Sequence, residues 1–295
     1  MKKTKLGMGI FLGTVACFVL SYVCAKAAGM DFTKDNFVAS VTQRYADKHI
    51  EGLKSVEMKR IFSAENLSEI SVDTQSIDIR FEPEDVQDVT VNFKSFKSSF
   101  NPEKQIATRI DGERLVIETD EKTKDSSWDI SISDGKGIVV TYPKNIRELS
   151  IRTVSGEVTI DGKNLKSVDV ETTSGNITVN GVKTIDANLQ TVSGKIEGSL
   201  FANQLDIKTI SGDCNLRTEN NTPVIHMSTT SGDGKLLFIE KPNASVSLAS
   251  VSGSINFEGD FGVTDVDAKK ANIKLGNGKG LISLKTISGS LTIAK

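Results

Sequence analysis

Cysteine is scarce in this chain and badly placed for cross-linking. Of three cysteines in 295 residues, Cys17 and Cys24 sit in an apolar N-terminal stretch and Cys214 stands alone in the main body. An intramolecular disulfide framework is therefore excluded for the main body, whose stability has to come from packing and backbone ladders. Cys214 falls at a position that is Ile or Val in neighbouring repeats, so it reads as a small buried apolar residue. An excess of positive charge is also missing: 36 Lys and Arg face 38 Asp and Glu, for a net charge of -2. That balance excludes the concentrated basic surface of a nucleic-acid binder. Histidine is limited to His49 and His226, too few and too far apart for a His-based metal or catalytic cluster. Proline (5) and aromatics (6%) are sparse, and the chain is rich instead in Val, Ile, Thr, Ser and Gly. Such a composition suits thin, regular β layers better than a bulky globular core.

What is present begins with Met1-Lys2-Lys3-Thr4-Lys5 and an apolar run from Leu6 to Ala25. A basic lead before about 20 apolar residues has the length and polarity of a membrane-spanning or export helix. Ala25-Lys26-Ala27 has the small-x-small form of a cleavage site, so residues 1–29 are read as a signal peptide or a transmembrane anchor. Tyr22-Val23 before Cys24 makes a poor lipobox. Both readings put the remainder outside the cytoplasm, membrane-anchored or secreted to the cell surface.

Between residues 30 and 64, Phe37, Val41, Tyr45 and His49 recur every fourth position among charged residues, which predicts an amphipathic helical stalk or linker. From about Leu67 the apolar period drops to two. Ile70 and Val72, then Ile77, Ile79 and Phe81, then Val89, Val91 and Phe93 alternate with polar residues. Leu115 and Ile117, Ile130 and Ile132, and Ile138 and Val140 continue the pattern up to Tyr142-Pro143. Residues 65–145 are thus an irregular N-terminal β region. Phe93, Phe96 and Phe100, interleaved with Lys94 and Lys97, read as a strand end packing into that region rather than as an exposed basic-aromatic patch.

Residues 146–295 are periodic. Thr-x-Ser-Gly occurs at Thr153–Gly156, Thr172–Gly175, Thr191–Gly194, Thr209–Gly212 and Thr229–Gly232, then as Ser250–Gly253 and Thr286–Gly289. Successive glycines are about 18–21 residues apart, except for a last gap of about two units that holds Leu275-Gly276-Asn277-Gly278, read as a decayed copy. Alternating strands flank each motif, for example Val168 and Val170 before Gly175, and Ile177 and Val179 after it. One unit cannot bury its apolar face alone, whereas stacked units share a narrow continuous core. The expected fold is all-β: a parallel β-helix or β-solenoid with coils of about 18–21 residues, preceded by the membrane or signal helix and the short amphipathic helix. In this arrangement Ser174, Ser193 and Ser211 line up in a column. The Gly permits a bend in which a Cβ would clash or demand a positive φ. The last strand, ending at Lys295, would form an unpaired edge open to self-association.

Catalytic patterns are not found in the sequence. No copy supplies the first Gly of a G-x-S-x-G elbow, and His226 is the sole histidine of the repeats. Seven equivalent serines point to structure, since a catalytic residue would be singular. The residue after Gly is Glu157, Asn176, Lys195, Asp213, Asp233, Ser254 or Ser290, which is not a calcium ladder. Pairs such as Asp265 with Asp267 do not form the register-matched acidic cluster of a glycan-cleaving β-helix. No catalytic, cofactor-binding or metal residue is assigned, and no cofactor is expected.

The exported or anchored start, the β region ending near Tyr142-Pro143, and the repeated T-x-S-G followed by x-[IV]-x-[IV] resemble the bacterial DUF4097 family. Its members are described as "putative adhesins" and include proteins similar to LiaG of cell-envelope stress operons. The resemblance covers roughly residues 65–295 and implies a β-helical surface protein without known catalytic residues. The expected function is that of a non-catalytic extracytoplasmic structural or interaction protein of the bacterial cell envelope. Its partners would be a cell-surface or envelope protein or glycan, the membrane if the N-terminal helix is retained, and no nucleic acid. The alternatives are a glycan-binding or glycan-cleaving β-helix protein and an accessory of an envelope-stress response system.

Overall fold

The computed structural model describes residues 56–95, 106–119, 137–162, 164–262 and 267–295. Contacts divide the chain into Met1–Leu53 and Lys54–Lys295. The expected N-terminal helix (1–29) and most of the 30–64 segment lie outside the described residues. What is described is all-β, without a helix among the described residues, and twenty strands join one curled mixed sheet.

The strands are β1 (Val56–Ser63), β2 (Glu69–Thr74), β3 (Asp78–Pro83), β4 (Asp88–Ser95), β5 (Ile106–Asp111), β6 (Arg114–Thr119) and β7 (Gly137–Tyr142). They continue with β8 (Glu148–Thr153), β9 (Val158–Asp161), β10 (Ser167–Thr172), β11 (Ile177–Thr191), β12 (Ile196–Thr209) and β13 (Cys214–Thr218). The last seven are β14 (Val224–Ser228), β15 (Gly234–Phe238), β16 (Ala244–Ser250), β17 (Ile255–Glu258), β18 (Lys270–Lys274), β19 (Gly280–Thr286) and β20 (Leu291–Ala294).

Two ladders organise them. The strands that precede each T-x-S-G form the first, in the order β5-β6-β2-β8-β10-β11-β12-β14-β19-β16-β18. The strands that follow it form the second, β1-β4-β7-β3-β9-β11-β12-β13-β15-β20-β17. All pairings are parallel except β5–β6, β16–β18, β1–β4 and β4–β7. Equivalent residues face each other: Leu149 pairs with Val168, Val168 with Ala187, Ala187 with Leu205, and Leu205 with Ile225. β11 and β12 contribute to both ladders. β11 bends at Gly181, whose φ is +63°, where its register with β12 shifts between Val179 and Val182.

Period-two alternation does what the pattern requires. In β8 and β10, Leu149, Ile151, Val168 and Val170 are at most 1% exposed while the residues between them reach solvent. The inward side chains of both ladders share one hydrophobic core.

Four expectations need correction. The helical segment does not extend to residue 64, because residues 56–63 form β1, antiparallel to β4. The region 65–145 is less irregular than it reads. β2 lies in register on β8, with Thr74 opposite Thr153, so Thr74-Gln75-Ser76-Ile77 is a T-x-S-G copy with Ile in the Gly slot. The presumed decayed copy at 275–278 is a reversal: β18 runs antiparallel along β16, and the 275–279 turn leads back into β19. Finally, the C-terminal strand is not an edge. β19 lies between β14 and β16, and β20 between β15 and β17, so the last layer in sequence is interior in space.

Candidate functional sites: a repeated corner and a cationic cleft

Each T-x-S-G corner carries a strand of the first ladder into one of the second and repeats the same bonds. The buried Thr hydroxyl accepts from the Gly N–H three residues on, at 3.1 Å (Thr153–Gly156), 3.0 Å (Thr172–Gly175), 2.9 Å (Thr191–Gly194 and Thr209–Gly212) and 3.1 Å (Thr229–Gly232). Ser250 serves Gly253 at 2.8 Å, and only the Thr286 hydroxyl is buried without a partner at this position. These bonds satisfy N–H groups that would otherwise be orphaned inside the turn. The serines do align. The N–H of Ser174 donates to Val154 O at 2.8 Å, Ser193 to Thr173 O at 2.9 Å, Ser211 to Val192 O at 2.8 Å and Ser231 to Ile210 O at 2.8 Å.

The residue between Thr and Ser faces solvent. Val154, Val192, Ile210, Val251 and Ile287 are 38–73% exposed, making an aliphatic ridge along the corner, with Thr173 and Thr230 interspersed. The residue after Gly links layers. Asp78 Oδ1 accepts the Glu157 N–H at 2.9 Å, Asn176 that of Lys195 at 2.9 Å, Asp213 that of Asp233 at 3.0 Å, and Asp233 that of Ser290 at 2.7 Å. These oxygens are engaged by the neighbouring backbone. No group of three or more His, Cys, Asp or Glu residues placed to hold a metal occurs among the described residues.

The individual residues singled out by sequence fall as follows. Cys214 is 2% exposed, and burial, with Asp213 adding, pushes its thiol pKa up, so it is inert packing in the native state. His226 is exposed and lies in register between Asp206 and Ser283. Phe93 is 1% exposed in the core. His49, Phe96, Lys97, Phe100 and Asp265 lie outside the described residues.

A second feature has no sequence motif. At the turns that return the chain from second ladder to first, a cleft of about 480 Å³ is lined by Tyr142, Pro143, Lys144, Arg147, Asn164 and Lys183, among others. Three separate turns build it: the one after β7, the one after β9 and the bend within β11. The Tyr142 ring is 1% exposed and meets Phe81 edge-on, with centroids 6.2 Å apart. Its hydroxyl has no hydrogen-bond partner, and burial, with the charge of Asp161 adding, raises its pKa. Lys144 is ion-paired with Asp85 at 2.9 Å, whereas Arg147 and Lys183 have no ion pair among the described residues.

The Toastrack DUF4097 family model matches residues 67–258 and, in a second placement, residues 147–294. The chain belongs to the Toastrack DUF4097 family. Two overlapping placements suit a Toastrack chain whose equivalent layers recur every 18–20 residues, since one pattern then fits in more than one register. Among solved structures, a "putative adhesin" from Bacteroides fragilis is 14% identical, with a TM-score of 0.45, and the match covers 81% of this chain and 96% of that one. A "putative cell adhesion protein" from Clostridium sporogenes is 12% identical at a TM-score of 0.41, covering 82% and 99%. A "putative lipid binding protein" from Parabacteroides distasonis is 17% identical at 0.42, covering 81% and 97%. No curated protein matches this Toastrack chain.

Proposed function

We propose that this protein is a non-catalytic, adhesin-like β-solenoid of the bacterial cell envelope, held or exported by its N-terminal segment, with the two ladders as sides of one coil. The main observation behind this reading is the corner chemistry. The same hydroxyl–Gly bond recurs at six corners, five from Thr and one from Ser250, and the Asp and Asn side chains after Gly go to neighbouring backbone, so the repeated polar groups hold layers together. A stack built this way is a rigid display surface, and its exposed aliphatic ridge is the part that varies between Val, Ile and Thr. The basic lead and apolar run at residues 1–25 support placement outside the cytoplasm.

The test pairs binding with turnover. The full chain is applied to an array of envelope glycans and to intact cell-wall material, and reducing-sugar release is followed in parallel. Retention on the envelope without sugar release is the expected result. Release that depends on an intact protein would refute the non-catalytic reading.

A further inference from the structure

The cleft beside Tyr142 is unlike the rest of the surface in three respects. It is a concavity rather than a flat ladder face, and its volume of about 480 Å³ lies in the range that small-molecule sites span. Its lining carries Arg147 and Lys183 without ion pairs and Lys144 with one, and no carboxylate lines it. Its wall includes a tyrosine whose buried hydroxyl finds no protein partner. Buried polar groups are almost always hydrogen-bonded, so an orphaned hydroxyl beside a cavity calls for an explanation. The cations come together from two separate places in the chain, Lys144 and Arg147 in the turn after β7 and Lys183 in the bend of β11.

We infer that this cleft is a binding site for a phosphate ester carried on a polyol or sugar. The donors present determine the class. A guanidinium offers several N–H donors, an ammonium three and a phenol one, which is more than the two oxygens of a carboxylate use and suits the oxygens of a phosphate. The backbone at Gly162 and Gly181, with Asn164, gives polar contacts for hydroxyl groups of the carrier. This site is independent of the scaffold reading, and its failure would leave that reading standing.

The experiment titrates the full chain, in non-ionic detergent, with glycerol 3-phosphate by calorimetry, and in parallel with inorganic phosphate, glycerol and glucuronate. The expected result is saturable binding of glycerol 3-phosphate that weakens with salt, weaker binding of inorganic phosphate, and none of glycerol. Arg147→Gln combined with Lys183→Gln should weaken it by at least about tenfold, the loss expected for charge-assisted bonds. Tyr142→Phe removes only the orphaned hydroxyl. It should keep the melting temperature at or above wild type while weakening binding several-fold, which a purely structural tyrosine would not do. Lys208→Gln, on the first ladder away from the cleft, should change nothing. No saturable binding of the ester, or binding that is indifferent to all three cleft substitutions, would overturn the site. Equal binding of glucuronate would overturn the phosphate assignment, and equal binding of inorganic phosphate the polyol part.

Discussion

Replacing Gly194 by Ala tests the central packing claim. The φ of Gly194 lies outside the left-handed region, so the backbone itself does not demand glycine there. Space does: an added Cβ would stand 1.8 Å from the Gly175 carbonyl oxygen and 2.5 Å from its carbon. Ordinary contact begins near 3.4 Å, so the two layers would have to separate by about 1.6 Å, a third of the strand spacing of about 4.8 Å. Four bonds cross the layers at this corner: Ser193 N to Thr173 O at 2.9 Å, Lys195 N to Asn176 Oδ1 at 2.9 Å, Ile177 N to Lys195 O at 2.8 Å and Thr191 Oγ1 to Gly175 O at 3.3 Å. Lengthened by that much, none remains a hydrogen bond. At about 0.5–1.5 kcal/mol net each, the expected loss is about 2–6 kcal/mol, against a domain stability of about 5–15 kcal/mol. Gly112→Ala is the control. Its φ is +61° with nothing within 4 Å of the added Cβ, so only backbone strain of about 1–2 kcal/mol is expected. Urea unfolding followed by far-ultraviolet circular dichroism measures both. If Gly194→Ala unfolds within about 1 kcal/mol of wild type, or Gly112→Ala proves the more damaging, close stacking of the glycine column is the wrong account.

Three further outcomes follow from particular contacts. Thr209→Val keeps shape but strands the Gly212 N–H, which its hydroxyl now meets at 2.9 Å, and should destabilise by about 1–3 kcal/mol in the same urea assay. Thr209→Ser keeps the bond, as Ser250 does naturally, and should lose only about 1 kcal/mol for the buried methyl. The raised pKa values of Cys214 and Tyr142 mean that the unfolded chain releases these protons at lower pH than the native one does. Stability is therefore full below about pH 8.5 and falls as pH rises past it, first through the thiol and from about pH 10 through the phenol as well; Cys214→Ala should flatten the first part of that decline in urea melts. Amides of β19 and β20 should exchange as slowly as those of β10 and β11, because both edges of each are paired. Fast exchange in the last strand, measured by hydrogen–deuterium exchange, would contradict the interior placement.

Much of the fold is legible because the same physical demand recurs. A Gly is needed wherever a carbonyl of the next layer occupies the space a Cβ would fill, and a Thr wherever the turn has a buried N–H to satisfy. Together they write T-x-S-G into the sequence at every such corner. The first copy escapes notice for an equally physical reason. The missing Cβ of each Gly points at the preceding layer, as Gly156 points at Ile77 O and Gly175 at Gly156 O. Ile77 begins that series and has no T-x-S-G layer before it, so a side chain fits. The cleft was not legible, because Tyr142, Arg147 and Lys183 come from turns of unequal length that share no pattern. The outward direction of Val154 and its equivalents was not legible either, since a corner breaks the period-two rule that assigns faces.

The order of the layers is the harder case, and its cause lies in the repetition itself. Every layer presents the same backbone edges, so parallel pairing alone does not distinguish the β19–β20 layer outside β16–β17 from the same layer inserted beneath it. Side-chain detail supports the observed arrangement. Asp233 Oδ1 accepts the Ser290 N–H at 2.7 Å and Ser290 meets Ser254 at 3.0 Å, joining the corners in the order β15, β20, β17. Lys235 on β15 reaches Glu258 on β17 at 2.7 Å, a bridge across β20, whose Thr292 and Ala294 are small and no more than 9% exposed. A long outward residue at either position would crowd that bridge. The chain needs extra length to return past a layer already laid down, and the double gap between Gly253 and Gly289 is that length, spent on β18 and the 275–279 turn. The resulting end of the first ladder is β18, an outermost strand that carries exposed Lys270 and Lys274, the kind of residue that discourages further strand addition. The oversized gap is thus a sign that the last repeat goes inside the stack rather than on its end.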